Sequence, residues 1–124
     1  MAGTVTVEES FFGSVAKIVW SWTSSAGGAA DLATVGSYYG TVLAVITNPG
    51  ATAPTDDYDV TITDVDSFDV LQGVGANRDT TNTEVASPPS VSPVFGKLTL
   101  NVSNAGNAKV GVVTLYVLCE RLGI

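Results

Sequence analysis

The chain has 124 residues, 45% of them hydrophobic, with twelve Asp plus Glu against five Lys plus Arg, no His and one Cys. A net charge of −7 with scattered cations argues against nucleic acid, and also against an anionic membrane, because both are held by clustered Lys and Arg. Without His, and with a single Cys, the chain lacks the usual proton shuttles and soft metal ligands; its 19 Val and 15 Thr instead suit pleated sheet.

Alternation of period two is the dominant pattern. Over residues 4–8, Val5 and Val7 share one face. Phe11 and Phe12 follow between two strands, so one faces the core and the other is left as a contact anchor. Over residues 14–23, Ala16, Ile18, Trp20 and Trp22 share a side opposite Val15, Lys17, Val19 and Ser21. That stripe places both Trp in the core. Residues 24–30 form a small-residue loop, and a helical turn competes only near residues 31–35. Residues 38–47 predict a strand whose apolar run, Val42 to Ile46, implies burial on both sides, against a second layer or a neighbouring subunit.

Asn48-Pro49-Gly50 is a turn. Tyr58, Val60 and Ile62 then alternate with Asp59, Thr61 and Thr63, and residues 64–67 turn the chain into 68–71, predicting a hairpin. Residues 73–96 predict a long irregular loop with one short strand near 83–86; such loops usually serve a purpose. Residues 97–103 and 110–119 predict a second hairpin around Asn104-Ala105-Gly106-Asn107. The whole is an all-β chain, a single β-sandwich domain over residues 1–124 with about seven to eight antiparallel strands, Ig-like or jelly-roll, with a closed barrel as the alternative.

Six acidic residues fall between Asp56 and Asp69. Asp64, Asp66 and Asp69 are loosely spaced for calcium, but the turn glycine and distal Glu of an EF-hand are missing; turn capping by Asp64 and Asp66, with Asp69 facing solvent, is the favoured reading. Arg78 stands in the polar loop, to pair with Asp79 or to reach a partner's carboxylate or carbonyl. Cys119 is expected as a small buried hydrophobe. No catalytic constellation, metal site or cofactor is implied, and the expectation is a protein that binds or assembles.

Four segments carry a family resemblance: Met1-Ala2-Gly3-Thr4-Val5-Thr6-Val7-Glu8-Glu9, Asn48-Pro49-Gly50-Ala51-Thr52-Ala53-Pro54-Thr55-Asp56-Asp57-Tyr58-Asp59-Val60, Gly75-Ala76-Asn77-Arg78-Asp79-Thr80-Thr81-Asn82-Thr83-Glu84, and Leu98-Thr99-Leu100-Asn101-Val102-Ser103-Asn104-Ala105-Gly106. They resemble small structural proteins encoded by tailed bacteriophages, of the kind that often decorate (cement) the head. The resemblance implies a virion protein on the outer surface of the head, made in the host cytoplasm, with the major capsid protein as partner and a homo-oligomer, dimer or trimer, as its working form. It brings no catalytic residues. An acidic chain is repelled by packed DNA, which agrees with an exterior position. The alternatives are a phage tail or host-recognition binding module and, third, a hydrolase using the acidic cluster. Candidate partner contacts are Val5, Val7, Phe11, Phe12, Asn77, Arg78, Asp79, Leu122 and Ile124.

Overall fold

The computed structural model describes residues 3–119. Within them lie nine strands and no helix: β1 (Thr4–Phe12), β2 (Val15–Thr23), β3 (Ala30–Ala33), β4 (Tyr38–Pro49), β5 (Asp59–Thr63), β6 (Glu84–Ala86), β7 (Pro93–Gly96), β8 (Thr99–Ser103) and β9 (Val110–Cys119). Every pairing is antiparallel. A six-stranded sheet has the order β1-β2-β9-β4-β6, with β7 also on β4, and a three-stranded sheet has the order β3-β8-β5. The chain is thus an all-β sandwich of two unequal sheets. The two strands not anticipated are four residues each: β3 replaces the turn expected near 31–35, and β7 lies inside the loop expected at 73–96.

The core is where the alternation places it. Ile18, Trp20 and Trp22 of β2, Val113, Leu115 and Val117 of β9, and Leu100 and Val102 of β8 are all buried. Trp20 also ties the layers together, its indole N–H donating to the Leu32 carbonyl at 3.2 Å. The β1–β2 turn needs only Gly13 and Ser14 between the paired Phe12 and Val15. Gly13 has φ +62°, the backbone that a two-residue hairpin takes at its first turn position and that glycine reaches without cost.

Of the two predicted hairpins, the second is corrected in its pairing and the first forms only at its tip. β8 and β9 do not face each other: β8 joins β3 and β5 in the small sheet, while β9 lies between β2 and β4 in the large one. The segment between them, 104–109, crosses from one layer to the other. After β5, the turn at 64–67 leads back to one bridge, Thr63 with Asp69, flanked by two backbone bonds, Asp64 N–H to Phe68 C=O at 3.1 Å and Val70 N–H to Ile62 C=O at 2.8 Å. β5 pairs along its length with β8 instead. Alternation defines which way a strand's side chains point, and backbone donors and acceptors will accept any strand of suitable hydrophobic facing.

The apolar run of β4 has a different origin from the one expected. A bulge between Val42 and Ala44 adds one residue and resets the alternation, so that Val42 and Val45 both enter the core. The intervening Leu43 is exposed. No strand of the described residues covers the second side of β4.

Candidate functional site

The registers across the large sheet place its outward side chains in rows. At the β1–β2 turn end the row is Phe12, Val15, Leu118, Thr41 and Pro93; the next holds Ser10, Lys17, Tyr116 and Ala44; the third holds Glu8, Val19, Thr114, Ile46 and Val85. Beyond the first row, Tyr39 of β4 sits opposite Phe95 of β7, with ring centroids 5.0 Å apart and edge-to-face, and both rings are exposed. Val110 and Val112 continue the apolar surface along β9 toward the other end. Only Glu8 and Lys17 are charged in these rows, one of each sign.

The small sheet shows the opposite chemistry. Its inward residues, Ala30, Leu32, Val60, Ile62, Leu100 and Val102, belong to the core or pack against it. Its outward residues are Asp31, Ala33, Thr99, Asn101, Ser103, Asp59, Thr61 and Thr63. Of the acidic residues from Asp56 to Asp69, Asp59 lies in β5 and Asp64 and Asp69 accept amides around the turn that follows it, whereas Asp56 accepts the Thr80 amide. A sandwich sheet facing water alternates apolar-in with polar-out. The small sheet obeys that rule; the large sheet breaks it along β9 and β4. An exposed apolar face rimmed by polar residues is the mark of a binding surface.

The candidate contacts are scattered relative to this face. Val5 and Val7 point inward and pack against the core, partly buried. Phe11 shares their side of β1 but lies exposed at the sheet end, stacked on Tyr38 at 5.9 Å. Phe12 is exposed on the outer face. Neither Phe is a core residue, so the expected division between them is corrected: β1 runs past the small sheet before it turns. Asn77, Arg78 and Asp79 lie at the diagonally opposite corner, beside Tyr58 and β6. Leu122 and Ile124 lie outside the described residues.

At that corner Arg78 pairs with Glu84, N–O 3.5 Å, and not with Asp79. Asp79 takes the Thr81 amide at 3.0 Å and the Asn82 side-chain amide at 2.7 Å, which hold its carboxyl below the usual range. Asn77 has φ +56° and donates its backbone N–H to Asp59 at 3.0 Å. The calcium-like spacing is likewise consumed locally. Asp64 Oδ1 accepts the amides of Asp66 and Phe68, at 2.9 and 3.2 Å. Asp69 does not simply face solvent: it accepts the amides of Ile62, Leu71 and Gly73 at 3.2, 3.0 and 3.1 Å. Among the described residues no three acidic or thiol side chains gather where they could hold a metal ion.

A hollow of about 200 Å³ lies where β1 begins, lined by Gly3, Thr4, residues 23–26, Asn107 and Ala108. It is smaller than the roughly 300–1,000 Å³ of ligand pockets and no charged side chain lines it. The open sheet face is therefore the candidate site. Its residues escape a one-sided alternation pattern, because Val112, Tyr116 and Leu118 opposite Val113, Leu115 and Val117 form a second apolar stripe in the same ten residues of β9. Compared with protein-family models, curated proteins and solved structures, the chain matches none of them.

Proposed function

We propose that this chain is a structural assembly protein whose work is done by the outer face of its six-stranded sheet, and that it serves as a decoration (cement) protein on a tailed-bacteriophage head. The observation that carries the assembly reading is the contrast between the two outer faces of one sandwich. One is Asp, Asn, Thr and Ser; the other carries an apolar surface along β9 and parts of β4, with Val, Ile, Leu, Tyr and Phe, beside a polar β1 edge of Thr4, Thr6, Glu8 and Ser10, and among the described residues of its rows one charge of each sign. Burying the second face against another surface removes apolar area from water at about 25 cal/mol per Å². The specific reading as a capsid protein rests on the segment resemblance described above. The acidic charge of the chain suits a position outside packed DNA.

The burial of Trp20 and Trp22, at 0% and 1% exposure, supports a clasping role over a host-recognition module built on exposed Trp. Mechanically, such a protein covers seams between capsid subunits and raises the cost of separating them. The test is addition of purified protein to expanded heads lacking it. Saturable binding with a raised head melting temperature is the expected result; saturating protein that does not bind defeats the capsid reading.

A further inference from the structure

We propose that the outer face of the six-stranded sheet is a twofold interface with a second copy of this chain. The proposal rests on the reading of that face as the working surface and names what covers it. Three observations favour a second copy.

The first is size and shape. Strands of about nine residues at roughly 3.3 Å per residue and 4.8 Å spacing, across five strand positions, present on the order of 600 Å² in projection. A stable pair buries about 800 Å² of accessible surface on each partner, so one such face pressed on its own image is of the right order. Twisted sheets stack in this way, aligned within about 30°.

The second is charge placement. The chain carries −7 overall, which would oppose self-association if it were spread evenly. Here Asp31 and Asp59 lie on the outer side of the small sheet, and of the acidic residues on the described strands of the large sheet only Glu8 lies in its outward rows. With the large sheets face to face, the two acidic layers stand about three sheet spacings apart, roughly 30 Å, against a screening length of about 8 Å at physiological salt.

The third is self-complementarity. Glu8 lies opposite Val19, and Lys17, two residues from Val19 along β2, lies opposite Ser10. The two charges are thus diagonal neighbours on the outer face, at its polar β1–β2 side. In an isologous interface residue i meets residue j while j meets i. A twofold axis between them, running across the strands so that the sheets stay aligned, brings each Lys17 within about one strand spacing of the other copy's Glu8, a gap its long side chain spans. A single charge type on this face would have forbidden the pairing.

Sedimentation equilibrium of the wild-type chain is expected to give a dimer. Ile46→Lys, in the middle of the face, is expected to raise the dissociation constant by roughly 100-fold or more, whereas Thr61→Lys on the small sheet leaves it unchanged. Folding of each variant is verified by the near-ultraviolet signal of the buried Trp. Lys17→Glu leaves two negative charges on the face and Glu8→Lys two positive; each alone is expected to sediment as a monomer, and their equimolar mixture as a dimer. A wild-type monomer at 100-fold the working concentration overturns the pairing, as does a dimer indifferent to Ile46→Lys or a stoichiometry other than two. A monomer that still binds heads through this face would leave the capsid reading standing and assign the face to the capsid; a dimer that does not bind heads would do the reverse.

Discussion

Tyr38 donates its hydroxyl to Glu9 Oε1 at 2.5 Å, joining the edge strand β1 to β4, three places away in the sheet order. The same carboxylate accepts the backbone N–H of Val35 at 2.8 Å and of Gly36 at 2.9 Å, in the crossover from the small sheet to the large. Glu9 therefore latches β1 to the segment that connects the layers.

This latch makes stability depend on pH at both extremes. Burial pulls the Glu9 carboxyl up, but the Tyr38 hydroxyl, the two amides and nearby Lys97 outweigh it, so its pKa lies below the usual value. A depressed carboxyl contributes stability above its unfolded value, and loses it as pH falls below about 4.5 through the folded pKa. Burial, then the bond to Glu9 and its charge, push the Tyr38 hydroxyl well up. That contribution is complete below about pH 10 and declines as pH rises beyond it. Glu9→Gln is expected to cost about 1–3 kcal/mol at neutral pH and to flatten the acid limb of a melting-temperature profile. The alkaline limb keeps the part due to burial. An acid limb of unchanged slope in the variant would show that Glu9 is not the group responsible.

Trp22 and Gly111 are opposed across β2 and β9, and the indole occupies the space a side chain at 111 would need. Gly111→Ala is expected to destabilise by roughly 1–3 kcal/mol through overpacking, measured by urea unfolding. Gly27→Ala, whose added carbon would approach nothing nearer than 3.8 Å, is the control and should change little.

Tyr58 is fully buried, its ring 5.7 Å from that of Trp22. Its hydroxyl is close enough to Thr47 Oγ1 to feel it, but neither atom has a partner with hydrogen-bond geometry. A buried hydroxyl without a partner is costly. Tyr58→Phe is therefore expected to leave stability within about 0.5 kcal/mol of wild type or to raise it, since the ring packing is kept. A loss beyond about 2 kcal/mol would mean that the hydroxyl is well bonded in solution.

Asp69 and Asp66 separate a structural role from a metal role. Asp69 serves three amides, and Asp69→Ala should cost about 1–3 kcal/mol by leaving them unpaired. Asp66 is exposed and turned to water, so Asp66→Ala should stay within about 0.5 kcal/mol. Calcium at millimolar concentration is expected to leave the melting temperature of the wild type unchanged, because ligand binding to the native state alone would raise it.

Much of the fold is legible residue by residue. Ile18, Trp20 and Trp22 declare the inner face of β2, and Val60 and Ile62 that of β5, because a side chain every second residue must share a solvent environment. The turns at Gly13 and at 64–67 are written in residues that favour their backbone shapes. The pairing of β8 with β5 and β3, and of β9 with β2 and β4, is not written in this way. Nor is the bulge at Leu43, which accounts for an apolar run that two-sided burial also explains. The site is the least legible part: the sequence offers one of Phe11 and Phe12 as an exposed contact without saying which, and Tyr39, Ile46, Phe95 and Tyr116 emerge only once the strands lie side by side.

The order of residues by itself determined that this chain would make strands, which face of most of them would be dry, and where several of its corners would fall. Those are local consequences of side-chain shape and period. The tertiary structure alone decided which strands are neighbours, that the sandwich has one broad and one narrow sheet, and that the broad one ends with an apolar exterior. The backbone groups that join strands are the same at nearly every residue, so the choice among partners is made by the packing of the whole and not by any one segment.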